Sequence, residues 1–148
     1  ERASPAVNIT VMPYRRDSHE LAQWLASCDA LVHAGTRETF GLVILEAMSC
    51  GRPVVGVRAG AVQELIDEEV GVLAEAATAR LLAQAVRDLY DRDLQKLGAA
   101  ARARVCSRYT WAQALQLQMN AYASVSGRQR VPVVDAADGV DPAVELQA

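Results

Sequence analysis

In the stretch HAGTRETFGLVILEAMSCGRPVVGV, from His33 to Val57, two glutamates stand with seven residues between them: Glu38 and Glu46. Glu46 is the only charged residue from Phe40 to Gly51. A carboxylate among apolar neighbours is costly unless it is paired or hydrogen-bonded. Helical spacing places Leu42 and Val43 one turn before it and Ser49 and Cys50 one turn after. Its two oxygens suit two hydroxyls of a diol such as a ribose. Glu38 falls in the loop GTRET, which leads into the helix that begins near Gly41. There it can meet hydroxyls of a second ligand portion. Between the two, the free N–H groups of Gly41, Leu42 and Val43 and the helix dipole favour an anion. Gly41 also lets a ligand approach the backbone closely. Sugar, phosphate and ribose contacts in that order describe a nucleotide-sugar. On the residues alone a plainer reading is equally open: a solvated helix residue at Glu46 and a helix-start carboxylate at Glu38.

The elements that must position these groups follow from the alternation of short β-branched runs with longer helical ones. Strands are expected at Asn8–Met12, Ala30–Ala34, Pro53–Val57 and Val70–Ala74. None alternates between polar and apolar, as expected of strands buried on both faces of a parallel sheet between helix layers. Asp17 and Ser18 can cap a helix with Leu21, Trp24 and Leu25 on one face. The glutamate-bearing helix should stop at Gly51, and a short helix is expected at Ala61–Ile66. This order argues for a doubly wound α/β sheet. In such sheets the ligand crevice lies outside the carboxyl ends of the strands. After Glu75 come three helical stripes: Leu81, Leu82, Ala85, Val86 and Leu89; Leu94, Leu97, Ala101 and Val105; and Trp111, Leu115, Met119 and Tyr122, capped by Thr110. All three read as core packing. The expected division is one domain over residues 1–125 and a tail or linker over 126–148.

The chain of 148 residues, 51% hydrophobic and 22% charged, is long enough for one sound core. A net charge of −3 without a basic run gives nucleic-acid binding no support. No apolar run reaches the roughly 18 residues of a membrane span, and ERASPAVN lacks the apolar segment of a signal peptide. Cys28, Cys50 and Cys106 show no CxxC spacing, which suggests reduced, buried thiols in a cytoplasmic protein. With only His19 and His33, no zinc site is expected. A dinucleotide-binding oxidoreductase is excluded, because no GxGxxG follows the first strand.

The run ETFGLVILEAMSCGRPVVGV resembles the signature of the retaining family 4 (group 1) glycosyltransferases. Their mark is two glutamates with seven residues between, then a small-residue, glycine, proline and paired-valine segment. SCDALVHAG, AGAVQELIDEEVGVL and RYTWAQALQLQMNAY resemble the flanking parts, so the likeness runs from about Asn8 to Tyr122. It implies the GT-B fold, with this chain a Rossmann-like donor-binding domain incomplete at its N-terminus and followed by C-terminal helices. It also implies hexosyl transfer from a nucleotide-diphosphate sugar with retained configuration, without a cofactor or metal. Glu38 would meet the donor sugar at the reacting centre. Phe40, Gly41, Leu42 and Val43 would hold the sugar and diphosphate. Glu46 would bind the ribose, and the segment Met12 to Tyr14 would lie beside the base. Ala61 stands where the family usually has a second glycine, and Gly35 and Thr36 where it often has proline and serine. The expected partners are the donor and an acceptor domain of the same parent chain, with peripheral membrane contact of the parent left open. The isolated chain is expected to be inactive and to self-associate through uncovered apolar surface. The alternative is a non-catalytic nucleotide-sugar-binding or assembly module that acts with a partner chain.

Overall fold

The computed structural model describes residues 9–127. Asn8 and the part of the expected tail from residue 128 onward lie outside the described residues. Helix α1 spans Ser18–Ser27, strand β1 Leu31–Val32, helix α2 Leu42–Ser49, strand β2 Val54–Val57, helix α3 Val62–Leu65 and strand β3 Gly71–Ala74. Helices α4 (Ala79–Tyr90), α5 (Leu94–Arg108) and α6 (Trp111–Ser126) follow. The three strands form a parallel sheet in the order β1-β2-β3. Parallel neighbours need crossover connections, and α2 and α3 supply them.

The central strand β2 is buried along its whole length. Side chains of successive strand residues point to opposite faces, so Val54 and Val55 enter different cores. Val54 joins Ile44, Leu45, Ala47 and Met48 of α2 and Ala101 and Val105 of α5. Val55 joins Ala74 and the α4 residues Ala85 and Leu89. The sheet is therefore a layer between two helical layers, as expected for a doubly wound α/β arrangement.

Helix α2 is set firmly at its far end. The N–H of Gly51 donates to Met48 O at 2.9 Å and that of Arg52 to Ala47 O at 3.0 Å. This pair of bonds is a Schellman closure, and it uses the left-handed φ of +69° at Gly51. Gly98 of α5 lies against this end: a Cβ there would sit 2.1 Å from Gly51 O. Arg104, also on α5, reaches the loop before β3, where it meets Asp67 at 2.9 Å and Glu69 at 2.9 Å. Burial alone would raise the Asp67 carboxyl; the hydrogen bond and charge of Arg104, together with backbone N–H groups of Glu69 and Val70, outweigh it and hold the group below its ordinary value.

Four expectations need correction. Residues 9–12 form no strand; Ile9 and Val11 are 78% and 88% exposed, and no described strand pairs with them. A strand run needs a neighbour as well as β-branched residues. Strand β1 is shorter than expected and is not fully buried, since Val32 is 49% exposed at the outer edge of the sheet. Cys28 and Cys106 are exposed and Cys50 is half-buried, so the thiols are free but not core residues. Finally, Trp111, Leu115, Met119 and Tyr122 of α6 are all exposed, and Ala123 is the buried residue of that helix. Periodicity announces a face that needs a partner; it does not place that partner within the described residues.

Candidate functional site

Strand β1 ends at Val32, and the N–H of His33 still donates to Val55 O at 2.8 Å. The chain then loops outward and enters α2 through Gly41, whose φ is +88°. That left-handed backbone favours glycine. A Cβ at Gly41 would also sit 2.6 Å from Leu65 Cδ1. The Gly41 N–H donates to Glu38 Oε1 at 3.1 Å, and its carbonyl accepts from the N–H groups of Ile44 and Leu45 at 3.0 and 3.1 Å. Among the described residues, the N–H groups of Leu42 and Val43 have no acceptor. Unpaired first-turn donors of this kind are the anion-binding feature of a helix start.

Glu38 is held from a second direction. Its carbonyl accepts from Ala61 N–H at 3.0 Å. Gly60, with φ +52°, packs so closely that a Cβ there would sit 2.6 Å from the same carbonyl oxygen. The turn after β2 thus locks onto the loop after β1, and Glu38 is the point of contact. Ala61 fills the place of an expected second glycine without strain, because its φ is −67°. The Glu38 carboxylate is 28% exposed and lies 3.6 Å from His33 Nε2. Sequence reasoning missed His33: a single histidine five residues before the glutamate carries no periodic signal.

Glu46 lies half-buried on α2, on the face that also carries the exposed Leu42 and Val43. Ile44, Leu45, Ala47 and Met48 turn the other way, into the core. Among the described residues the Glu46 carboxylate makes no hydrogen bond or ion pair; its backbone carbonyl accepts from Ser49 Oγ at 2.7 Å. The structure therefore gathers Glu38, Gly41, Leu42 and Val43 at one helix mouth, with the exposed Phe40 beside them and Glu46 one turn further on. Met12 and Tyr14 are exposed on the segment before α1 and, among the described residues, make no hydrogen bond or ion pair to the glutamates. A groove of about 570 Å³ elsewhere, between Arg58, Asp67, Gly71 and Arg92, includes none of these residues.

Residues 1–92 match the family described as "Glycosyl transferases group 1". The chain belongs to that family. A curated relative of this group 1 glycosyltransferase chain is the GDP-mannose-dependent alpha-(1-6)-phosphatidylinositol dimannoside mannosyltransferase of Mycobacterium tuberculosis. The two are 37% identical over 75 residues, covering 51% of this chain and 20% of the relative. Among solved structures, sucrose-phosphate synthase from Thermosynechococcus elongatus aligns with a TM-score of 0.65 at 33% identity, over 73% of this chain and 28% of that one. HepE from Anabaena, in complex with UDP, aligns with a TM-score of 0.59 at 29% identity, over 71% and 29% of the two chains. Another HepE structure, with UDP-glucose, aligns at 0.52. The fold is that of the GT-B glycosyltransferases. This group 1 glycosyltransferase chain spans less than a third of each of these proteins. Among its described residues no helix is long and apolar enough to cross a membrane.

Proposed function

We propose that this chain is the larger part of the donor-binding domain of a glycosyltransferase. The parent moves a hexosyl group from a nucleotide-diphosphate sugar to an acceptor, with retention of configuration. The observation that carries this reading is the lock at Glu38. Two loops at the carboxyl ends of adjacent parallel strands meet there, beside two unpaired helix-start N–H groups. Ligands of open α/β sheets bind at that end of the strands. In this reading the N–H groups of Leu42 and Val43 meet the diphosphate. Glu38 meets the sugar, and Phe40 and Gly41 shape the mouth. Glu46 accepts from the ribose hydroxyls, and Met12 and Tyr14 stand beside the base. The complexes of HepE with UDP and UDP-glucose support a nucleotide-sugar as ligand class. The donor is a substrate, and the reading calls for no resident cofactor. The acceptor is taken up by another part of the parent, which works in the cytoplasm.

The unpaired carboxylate of Glu46 provides the test. In the full-length protein, Glu46→Gln should weaken donor binding by about 2 kcal/mol, roughly 30-fold in Kd, since one charged acceptor to a ligand hydroxyl is lost. The melting temperature should hardly change, because no described residue pairs with that carboxylate. Titration calorimetry with UDP-glucose and GDP-mannose measures both the affinity and the preferred nucleotide. An unchanged Kd in a correctly folded variant removes Glu46 from the site.

A further inference from the structure

The Nε2 atom of His33 is shielded from solvent and has no hydrogen-bond partner among the described residues. Buried polar side-chain atoms nearly always have one. The ring faces Glu38 Oε2 at 3.6 Å, just beyond hydrogen-bond reach. The other carboxylate oxygen, Oε1, is already taken by Gly41 N–H. Gly35 lies against the same end of the ring: a Cβ there would sit 2.6 Å from Nε2 and 3.0 Å from Cε1. Gly35 does not have a positive φ, so the room for the imidazole, not the backbone, accounts for the missing side chain. The backbone of His33 is in turn tied to the sheet through Val55 O.

We propose that His33 is a positioning residue for Glu38. With the proton on Nε2, the imidazole donates to Oε2 after a small rotation of the carboxylate. Both oxygens of Glu38 are then oriented, one by Gly41 and one by His33, and the remaining lone pairs face the donor sugar. His33 touches no substrate and moves no proton in this role. Its effect is on the angle at which the carboxylate meets the reacting sugar, which governs turnover more than affinity. The inference rests on the reading of Glu38 as the sugar-side carboxylate.

The test uses the full-length protein, with release of UDP or GDP from UDP-glucose and GDP-mannose as one readout. His33→Leu should lower kcat by about 10-fold with little change in KM, as expected for one lost hydrogen bond near the reacting centre. His33→Gln keeps an N–H donor at similar reach and should restore kcat to within about 2-fold of the parent. Gly35→Ala crowds the ring and should lower kcat while both functional side chains remain. A normal kcat in His33→Leu, or a Gln variant as impaired as the Leu variant, overturns the proposal. A second readout needs no turnover. In protein labelled with ¹⁵N-histidine, the Nε2 resonance of His33 should carry a bound proton and shift in Glu38→Gln, while His19 stays in place. An unmoved Nε2 resonance overturns the contact. If neither sugar donor is consumed but the resonance shifts, the proposed function fails and the His33–Glu38 contact stands.

Discussion

Glu38→Ala in the full-length protein is expected to lower turnover by about 10²-fold or more, the loss expected for a single charge-stabilising group. The donor's dissociation constant should move much less. The sugar gains positive, oxocarbenium-like character as the diphosphate leaves, and a carboxylate interacts more strongly with that state than with the neutral ground state. The structure adds a complication: Oε1 accepts from Gly41 N–H, so the Ala variant also loses a turn-closing hydrogen bond. That loss costs about 0.5–1.5 kcal/mol of stability. Glu38→Gln separates the two roles, because its amide oxygen can still accept from Gly41 while the charge is gone. The Gln variant should melt close to the parent and still turn over slowly. If either variant melts earlier yet turns over normally, Glu38 serves the helix start alone.

Gly98→Ala is expected to destabilise the fold by about 3 kcal/mol, at the upper end for an overpacked core. Helix propensity by itself predicts the opposite, since alanine in a helix interior is favoured over glycine by about 1 kcal/mol. Geometry decides between the two. The added Cβ would meet Gly51 O at 2.1 Å and Gly51 C at 3.0 Å, and backbone atoms cannot rotate aside. Relief requires α5 to move away from the end of α2, opening the core around Met48 and Ala101. Urea unfolding of the variant measures the change; equal or greater stability would show that α5 stands further from Gly51 than the structure has it.

Much of the fold was legible because its signals are local. Helix α2 stops where Gly51 said it would, and Val54–Val57 is buried on both faces as an apolar run should be. The stripes of α4 and α5 supply core residues at Ala85, Leu89, Leu97, Ala101 and Val105. The misreadings share one cause: each depended on a partner that sequence alone does not place. Ile9 and Val11 have the composition of a strand but no described neighbour. Trp111 and Leu115 have the spacing of a core face but lie exposed. At the candidate site, the gathering of Glu38 with Gly41, Leu42 and Val43 follows from their nearness along the chain. The contact of Gly60 and Ala61 with Glu38 joins residues more than twenty positions apart, and His33 matters only because the loop folds it back. Neither relation leaves a period or a spacing to read.

The two unpaired amides at the start of α2 also have a consequence for solvent exchange. Among the described residues Leu42 and Val43 have no acceptor, whereas Ile44 and Leu45 immediately after them share the Gly41 carbonyl. In deuterated water the first two amides should exchange without waiting for any opening of the protein, and the next two only when the helix start opens. The boundary between fast and slow exchange thus falls within one helical turn. An anion seated at the mouth would move that boundary back by two residues, which makes the two amides a reporter of anion binding there.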